Sequence, residues 1–465
     1  MDTEYDVIVI GGGPAGENAA GRAAAGGLRT ALVESELVGG ECSYWGCIPS
    51  KTLIRPGDVL AAARRVPGAA EAVTGELDVD AAFAQRDYMT SNWHDDGQLS
   101  WLDGEGIAFL RGDGRLIGPR TVVVTSPEGT TTITARRAVV LATGTGPLIP
   151  PVPGLADIKP WDNRDVTGAK SLPKRLLVLG GGAVGAEMAQ AFRRFGCEVT
   201  VIEGGPRLLG REEPFAGEEV QDAFETEGIT VITGVALSAA RRDDADAVVA
   251  TLADGRELVG DEMLVAVGRR PKTADLGLES VGLTPGKYVD VDDAYRAVGV
   301  EGDWLYAVGD VNGRAPLTHM GKYQARLVGD ILLGKPVRDA PTDPADQAAV
   351  PRVTFTDPQV CAVGRTEAQA REAGLEVRVV STPTGGVAGA YTLGNGIAGT
   401  SQLVIDEARG VIVGATFTGP SMQELLHSAT IAIVGEVPLT RLWHAVPSFP
   451  TVSEVWLRLL EAYGL

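Results

Sequence analysis

The stretch YDVIVIGGGPAG, residues 5–16, decides the fold of this 465-residue chain. Its first six residues form the continuous apolar run of a buried strand, and the alanine-rich residues 17–25 after it predict a helix. Between them, Gly11, Gly13 and Gly16 have the spacing G-x-G-x-x-G. Glycines at these positions permit a tight turn, close approach of the backbone to a pyrophosphate and close packing of the helix on the strand. The stretch therefore predicts a strand, turn and helix that bind a dinucleotide at the helix N-terminus.

The next predicted strand, residues 29–33, strengthens this prediction. It ends on Glu34, 23 residues after Gly11, and an acidic side chain at about that distance accepts hydrogen bonds from a ribose. The three glycines alone are a weak signal. The strand before them, the helix after them and the acid at this distance make it specific.

The same pattern occurs a second time. Residues 175–179 are a predicted strand, Gly180, Gly182 and Gly185 repeat the motif, and residues 186–195 predict the helix. The following strand ends on Glu203, again 23 residues after the first glycine. Two copies predict two bound dinucleotides.

Three later strands end in residues that complete such sites. Residues 138–144 end at Gly144, residues 263–268 end at Gly268, and residues 304–310 end at Asp310. A carboxylate at the end of a strand can hold the sugar or polyol of a cofactor. Each of these strand ends is by itself a common turn. They support a cofactor site only because the chain also contains the two glycine motifs.

Composition narrows the class of protein. With 41 basic and 61 acidic residues the net charge is −20, which argues against nucleic acid or an anionic membrane as partner, since both require basic patches. The N-terminus shows no basic region or cleavage site of a signal peptide, and no apolar run is long enough to span a bilayer. We expect a multidomain protein in the cytoplasm.

Two of the four cysteines lie five residues apart in GECSYWGCIPSK, residues 40–51. An ideal helix holds such residues too far apart for a disulfide, so Cys42 and Cys47 can bridge only if the segment is distorted, and Gly46 supplies backbone freedom there. Pro49 suits the first turn of a helix whose dipole lowers the pKa of a nearby thiol. No second Cys/His pair has zinc-site spacing, and no metal site is predicted.

These motifs together resemble the flavin-dependent pyridine nucleotide-disulfide oxidoreductases. The markers GGGPAG, C-x4-C-x3-K, ATG, GGGAVG, VGRRP, AVGD and a C-terminal Pro-Thr-x-x-Glu occur in the order of that family over nearly the whole chain. The resemblance implies an α/β fold with two Rossmann-like dinucleotide-binding domains and a C-terminal α+β dimerisation domain. The expected boundaries are residues 1–150 for FAD, 151–270 for NAD(P), 271–345 for the continuation of the FAD domain and 346–465 for dimerisation. The polar residues 338–349 are predicted to be a linker.

The resemblance also implies a route for electrons. NADH reduces FAD, and FAD reduces a Cys42–Cys47 disulfide, with Cys47 facing the flavin and Cys42 attacking the substrate. Lys51 lies one helical turn beyond Cys47, by the flavin, with Glu187 as its partner. Glu203 accepts bonds from the ribose 2′-OH and repels a 2′-phosphate, which favours NADH, although the downstream arginines leave NADPH possible.

The chain departs from the family at its C-terminal catalytic motif. Disulfide-reducing members carry His-Pro-Thr-x-x-Glu, whose histidine is the acid–base catalyst for the thiols of the partner subunit. This chain has Phe449 in place of that histidine, before Pro450, and keeps Glu454. Phenylalanine cannot transfer a proton. His444 either replaces the histidine or packs under a loop. The resemblance further implies a homodimer and a cis Phe449–Pro450 peptide.

Three functions follow from this pattern. The first is reduction of a small disulfide or dithiol substrate through the two thiols. The second is an NAD(P)H:acceptor reductase for quinones or metal ions, which needs no histidine base. Mercuric reductases also lack that histidine, but they carry a C-terminal cysteine pair that this chain does not have. The third, a flavin-bound assembly subunit, fits the full set of catalytic markers poorly. Tyr44 and Trp45 either shape the substrate channel or pack against the flavin domain.

Overall fold

The computed structural model describes residues 3–335 and 345–465. The chain divides into two compact units that are each assembled from three segments. Met1–Pro49, Asp87–Pro147 and Gly268–Gln347 form the first unit, and Ser50–Arg86, Leu148–Val267 and Ala348–Leu465 form the second. The linker predicted at residues 338–349 lies mostly outside the described residues.

The strands, in chain order, are β1 Glu4–Ile10, β2 Thr30–Glu34, β3 Ala108–Arg111, β4 Asp113–Gly118, β5 Thr121–Ser126, β6 Gly129–Leu141, β7 Thr145–Pro147, β8 Arg175–Leu179, β9 Glu198–Glu203, β10 Thr230–Thr233, β11 Leu237–Arg242, β12 Val248–Leu252, β13 Glu257–Gly260, β14 Glu262–Val265, β15 Arg269–Pro271, β16 Leu305–Ala307, β17 Pro351–Thr354, β18 Gln359–Gly364, β19 Val377–Pro383, β20 Thr400–Asp406 and β21 Val411–Gly419.

The helices are α1 Pro14–Ala25, α2 Gly40–Tyr44, α3 Cys47–Arg65, α4 Val79–Met89, α5 Asp96–Gly104, α6 Asn163–Gly168, α7 Ala183–Arg194, α8 Pro214–Thr226, α9 Thr318–Leu332, α10 Ala345–Ala348, α11 Glu367–Glu372, α12 Ala388–Tyr391, α13 Met422–Val434, α14 Leu439–Leu442 and α15 Val455–Tyr463. Among the described helices, none combines the length and the apolar character needed to cross a bilayer.

The first unit is built on a sheet with the order β3-β2-β1-β6-β5-β4, in which β16 also pairs with β6. β1, β2, β3, β6 and β16 pair in parallel, and β4, β5 and β6 form an antiparallel meander. The buried residues of β1 and β6 are continuously apolar, as expected for strands covered on both faces. The carboxyl ends of β1, β6 and β16 therefore meet at one edge, where Gly11 and Asp310 follow their strands.

The second unit contains three sheets. A parallel sheet with the order β10-β9-β8-β14 contains the strand that leads into the second glycine motif. β11-β12-β13 form an antiparallel sheet. The C-terminal strands form the antiparallel sheet β17-β18-β21-β20-β19, against which α13 and α15 pack. Two sheets whose parallel strands lead into glycine turns, together with a C-terminal α+β part, confirm the predicted fold class.

Both glycine motifs make the same turn. Gly11 and Gly180 have φ values of +105° and +108°, a conformation that favours glycine. A Cβ atom at Gly16 would overlap the carbonyl oxygen of Gly11, and one at Gly185 would overlap that of Gly180. These contacts leave no room for any side chain, so each helix is fixed against the strand before it.

Arg194 connects the segments of the second unit through buried ion pairs. Its guanidinium lies 3.0 Å from Asp58, 2.7 Å from Glu227 and 2.8 Å from Asp357, and its side chain is 12% exposed. The three carboxylates come from α3, from the loop after α8 and from the loop after β17. One cation thus connects three parts of the chain that are distant in sequence.

Replacing Arg194 with methionine should destabilise the second unit by about 3 kcal/mol, because Asp58 and Glu227 lose this cation and Asp357 keeps only its ion pair with Arg65. Chemical denaturation would measure the change in the free energy of unfolding. Arg256→Met is the matched control, since Arg256 forms a solvent-exposed ion pair with Asp254, and its loss should leave the free energy of unfolding nearly unchanged. Equal losses in the two variants would contradict a structural role for Arg194.

Candidate active site

The two neighbouring cysteines meet at a break between two helices. α2 ends at Tyr44 and α3 begins at Cys47, and the chain leaves helical geometry at Trp45, whose φ is −137°. The Sγ atoms of Cys42 and Cys47 lie 2.6 Å apart. The distortion expected from the spacing is present, and it brings the two sulfur atoms together.

Gly46 serves this break by its size. Its φ is not positive, but a Cβ atom there would lie 3.0 Å from the carbonyl oxygen of Glu41 and 3.4 Å from the Cα of Cys42. Gly46 is therefore needed because the backbone of Glu41 and Cys42 approaches it closely, and not, as expected, for unusual backbone freedom. A side chain would push the two cysteines apart.

A threonine also reaches the sulfur atoms. Thr318, the first residue of α9, has its Oγ1 atom 3.3 Å from the Sγ atom of Cys47. The contact with Cys47 and burial raise the pKa of the Cys42 thiol, while Thr318 and the charge of Lys322 lower it in part. Cys42 therefore needs help to release its proton. The motifs did not indicate Thr318 or Lys322.

The other two cysteines are buried in hydrophobic cores. Cys197 is 1% exposed and Cys361 is 0% exposed. Burial raises the pKa of both thiols. Within residues 3–335 and 345–465, no group of three His, Cys, Asp or Glu side chains is arranged to hold a metal ion.

Lys51 and Glu187 form an ion pair in the second unit. Lys51 Nζ lies 2.6 Å from Glu187 Oε2, and the other carboxylate oxygen accepts a hydrogen bond from the Phe355 amide at 2.9 Å. The ammonium group also lies 4.8 Å from the centre of the Phe355 ring. Glu187 is 5% exposed, so its carboxylate is fixed and orients the cation. α3 carries Lys51 four residues after Cys47, on the same side of the helix.

The first glycine turn has the features of a dinucleotide site. Glu34 accepts hydrogen bonds from the amides of Gly12 and Glu36, each at 2.7 Å. Gly13 caps the N-terminus of α1, and a Cβ atom there would have one neighbour within 4 Å, the Cα of Gly40 at 3.9 Å. The turn thus presents open backbone and a fixed carboxylate, which suits a pyrophosphate and a ribose.

Polar groups at the ends of β6 and β16 extend this site. The Thr145 hydroxyl donates to Asp310 at 2.7 Å and accepts from Arg269 at 2.7 Å. The hydroxyl of Thr143 is buried and has no hydrogen-bond partner among the described residues. Thr143 directly precedes Gly144, whose φ is +68°. A buried hydroxyl without a partner fits a bound FAD, whose polar groups can satisfy it.

The second glycine turn repeats the arrangement. Glu203 accepts hydrogen bonds from Gly181 at 2.7 Å and Gly205 at 2.6 Å, and a Cβ atom at Gly182 would meet nothing within 4 Å. Arg207 donates to the backbone carbonyls of Gly210 and Glu212, both at 3.2 Å. The site therefore fits a nicotinamide dinucleotide. Gly268 follows β14 with φ +149°.

The C-terminal candidates lie in the second unit. His444 is exposed after α14, and Phe449 is 75% exposed and joined to Pro450 by a cis peptide, as the resemblance implies. Glu454 is 8% exposed and accepts a hydrogen bond from the Gly389 amide at 3.1 Å. Its carboxylate thus ties α12 to the start of α15.

The two aromatic residues between the cysteines have different environments. Tyr44 is 1% exposed, and its hydroxyl donates to the carbonyl oxygen of Val38 at 3.0 Å. Trp45 is partly exposed, with its ring 5.7 Å from that of Tyr44. Tyr44 therefore packs within its unit, and only Trp45 keeps a surface that a ligand could meet.

A cavity of about 710 Å³ opens between α1, α5 and α9 of the first unit. Its charged lining residues are Glu17, Arg22 and Arg326, and Trp101 forms part of its wall. The sequence offered one signal for it: Thr318, Lys322 and Arg326 are spaced by four residues, the spacing of one helix face. This spacing points to the cavity only when the contact between Thr318 and Cys47 is known.

Two family models match the chain. Residues 5–325 match the model described as pyridine nucleotide-disulphide oxidoreductase, and residues 350–459 match the model of the corresponding dimerisation domain. The chain is 34% identical to a dihydrolipoyl dehydrogenase of Thermus scotoductus, over 98% of this chain and 97% of that protein. It is 29% identical to a mercuric reductase of Staphylococcus aureus, over 97% of this chain and 81% of that protein.

Solved structures give the same result. The Cu(II) complex of the HOCl-induced flavoprotein disulfide reductase RclA from Escherichia coli superposes with a TM-score of 0.86. Its sequence is 26% identical, and the match covers 99% of each chain.

The proximity of the two sulfur atoms predicts a reversible disulfide. After mild oxidation and denaturation, two of the four thiols should react with a thiol reagent, and peptide mapping should join Cys42 to Cys47. Gly46→Ala should slow formation of the bond, because the new Cβ atom crowds Glu41. Gly75→Ala is the control, since its Cβ atom meets nothing within 4 Å. Four reactive thiols after oxidation would exclude the pair as a redox site.

Proposed function

We propose, from the premise that the chain belongs to the pyridine nucleotide-disulphide oxidoreductase family, that it passes electrons from NADH through FAD and Cys42–Cys47 to a small disulfide. Members of this family are enzymes that use FAD and NAD(P)H. The observation that carries the proposal is the 2.6 Å separation of the two sulfur atoms beside Thr318. When bound, FAD supplies two-electron transfer between the nicotinamide and the thiol pair.

Residues of the first unit would hold the FAD. Gly11, Gly13 and Gly16 form the turn for its pyrophosphate, Glu34 accepts from its ribose, and Asp310 from its polyol. Thr145 keeps the Asp310 carboxylate in one orientation, because that hydroxyl bonds both Asp310 and Arg269.

Residues of the second unit would hold the nicotinamide nucleotide. Gly180, Gly182 and Gly185 repeat the pyrophosphate turn, and Glu203 faces the ribose. Glu203 already accepts two backbone amides, so its negative charge is fixed where a 2′-phosphate would lie. Arg207 donates to two backbone carbonyl oxygens, which supports a preference for NADH.

In our proposal, the two thiols and the Lys51–Glu187 ion pair have separate roles in electron transfer. Cys47, at the start of α3, faces the cofactor, and Cys42 attacks the acceptor. Lys51 keeps a positive charge near the cofactor, and Glu187 holds it there at 2.6 Å.

The cavity between α1, α5 and α9 is the proposed acceptor site. Its volume of about 710 Å³ suits a small molecule, and its lining mixes Arg22, Arg326 and Glu17 with the apolar face of Trp101. Such a lining fits a small, polar disulfide.

The match to a dimerisation domain supports a homodimer. By family resemblance, the loop around Phe449 would then meet the acceptor site of the partner, with His444 and Glu454 nearby. The same proposal includes the domain boundaries expected from the sequence and a cytoplasmic location. A reducing compartment suits a thiol pair that must cycle.

A second candidate is reduction of a quinone or a metal ion. It is favoured by one observation: Phe449 stands where disulfide reductases carry their proton-transferring histidine. Among the similar proteins, one is named mercuric reductase and one was solved as a Cu(II) complex. This chain has no cysteine after Cys361 to deliver a metal ion.

The variant Cys42→Ser separates the two candidates. With NADH as donor, it should lose reduction of small disulfides such as bis(hydroxyethyl) disulfide and retain reduction of ferricyanide, because the dye takes electrons without Cys42. Steady-state assays of wild type and variant measure both activities. Cys361→Ser, a change in a core cysteine, is the control and should keep both. Disulfide reduction that survives Cys42→Ser would refute the thiol route.

Glu203 should set the choice of nucleotide. We expect kcat/KM to favour NADH over NADPH by about tenfold or more, equivalent to ~1.4 kcal/mol of repulsion between the carboxylate and the 2′-phosphate. Glu203→Gln should remove most of this preference, whereas Glu198→Gln, an exposed change at the start of the same strand, should leave it intact. A wild-type preference for NADPH would contradict this assignment.

A further inference from the structure

One face of α9 leads from the thiol pair to the cavity. Thr318, Lys322 and Arg326 occupy this face, four residues apart. Thr318 contacts the Sγ atom of Cys47 at 3.3 Å, and Arg326 lines the cavity. Lys322 therefore lies between the two sites.

α1 lies directly against this helix. A Cβ atom at Gly321 would come within 3.3 Å of the Cβ atom of Ala15, so the two helices touch at these small residues. Glu17 is two residues further along α1 and Lys322 is one residue further along α9. The positive charge of Lys322 lowers the pKa of Glu17 and that of Cys42.

A second contact links Glu17 to the cysteine segment. Gly13 lies one helical turn before Glu17, and a Cβ atom at Gly40 would come within 2.8 Å of the Cα of Gly13. Cys42 is two residues beyond Gly40, in α2. The Glu17 side chain is itself half-buried and lines the cavity. Glu17 thus lines the proposed acceptor cavity one helical turn along α1 from the contact between Gly13 and Gly40.

We propose that Glu17 transfers the proton in thiol–disulfide exchange, taking it from the Cys42 thiol and returning it to the leaving sulfur of a disulfide bound in the cavity. This inference rests on the proposed function. It supplies, from within the same subunit, the acid–base group that Phe449 cannot provide.

The step balances in atoms, electrons and charge. The Glu17 carboxylate accepts the proton of the Cys42 thiol, and the resulting thiolate attacks one sulfur of the acceptor. The Cys42–acceptor bond forms as the acceptor disulfide breaks, and the departing thiolate takes the proton from Glu17. Cys47, as a thiolate, then attacks Cys42 and releases the second thiolate, which takes a proton from solvent. The acceptor gains two electrons, and Cys42–Cys47 loses them and becomes a disulfide, which NADH reduces again.

The environment of Glu17 suits this exchange. Burial raises its pKa to about 7, and the charge of Lys322 opposes the rise. The carboxyl group is therefore protonated below about pH 7 and ionised above it, so both forms are populated near neutrality. The charged and titratable groups that face it are Lys322 and Arg326 from α9, Arg22 from α1 and Tyr44 from α2. α5 contributes the neutral side chains of Gln98 and Trp101.

Two disulfides with different leaving groups test the proposal. Bis(hydroxyethyl) disulfide releases an alkyl thiolate that needs a proton, whereas dithiobis(nitrobenzoate) releases a stable aromatic thiolate that does not. Glu17→Gln should lower kcat/KM by about 100-fold for the alkyl disulfide and by about tenfold for the aromatic one, which loses only proton removal from Cys42. For the wild type, kcat/KM with the alkyl disulfide should rise as pH increases through about 7, and this inflection should disappear in Glu17→Gln.

Further variants keep the test decisive. Glu17→Asp, which retains a carboxyl group, should restore the inflection and part of the rate. Glu105→Gln removes an exposed carboxylate beyond α5 and should change neither disulfide assay. Equal losses on the two disulfides, no loss on either, or an unchanged pH profile would overturn the role of Glu17.

The same assays distinguish this inference from the proposed function. If Cys42→Ser still reduces the alkyl disulfide, or if the wild type reduces neither disulfide, the thiol route itself is rejected and the role of Glu17 with it. If Cys42→Ser is inactive with both disulfides while Glu17→Gln behaves as wild type, only the role of Glu17 is rejected.

Discussion

The close contact between each glycine turn and the helix after it is the constraint on which the structure depends. A Cβ atom at Gly16 or Gly185 would overlap a backbone oxygen, so the helix lies as near to its strand as a peptide chain permits. That proximity directs the first amides of α1 and α7 to the edge where neighbouring parallel strands also end. Because Glu34 accepts the turn amides in the first unit and Glu203 does so in the second, one negative charge is fixed beside each glycine turn. The binding surface is thus a consequence of packing and exists before any cofactor arrives.

Local sequence predicted the parts of the fold whose causes are local. The apolar strands, the glycine turns and the acids that follow them were predicted from spacing, and the sheets have the expected strands at their centres. The helices begin earlier than expected, at Pro14 and Ala183, because the last glycine of each motif lies inside the first helical turn. Glycine weakens a helix interior, but an N-terminal turn already lacks internal hydrogen bonds and tolerates it.

Contacts between distant segments could not be predicted in this way. The ion pair of Lys51 with Glu187 was expected only because a family resemblance supplied it, since 136 residues separate the two. Thr318 had no such support, and its hydroxyl reaches Cys47 across 271 residues. Arg194, with three carboxylates, and Tyr44, with its buried hydroxyl, were equally invisible to motifs. In each case a polar group is satisfied by a partner that the fold, and not the neighbouring sequence, brings to it.

The substitution at Phe449 has a physical meaning when it is set beside Glu17. A proton-transferring group must lie near the thiol, but nothing requires that the partner subunit provide it. The contact with Cys47 and burial raise the pKa of Cys42, which therefore needs a base, while Glu17 lines the proposed acceptor cavity and burial raises its pKa to about 7. Burial that penalises a carboxylate is tolerated here because Lys322 offsets part of the cost. In the proposed mechanism, a subunit that carries its own proton acceptor does not need the imidazole of a second chain, so position 449 can hold an apolar side chain.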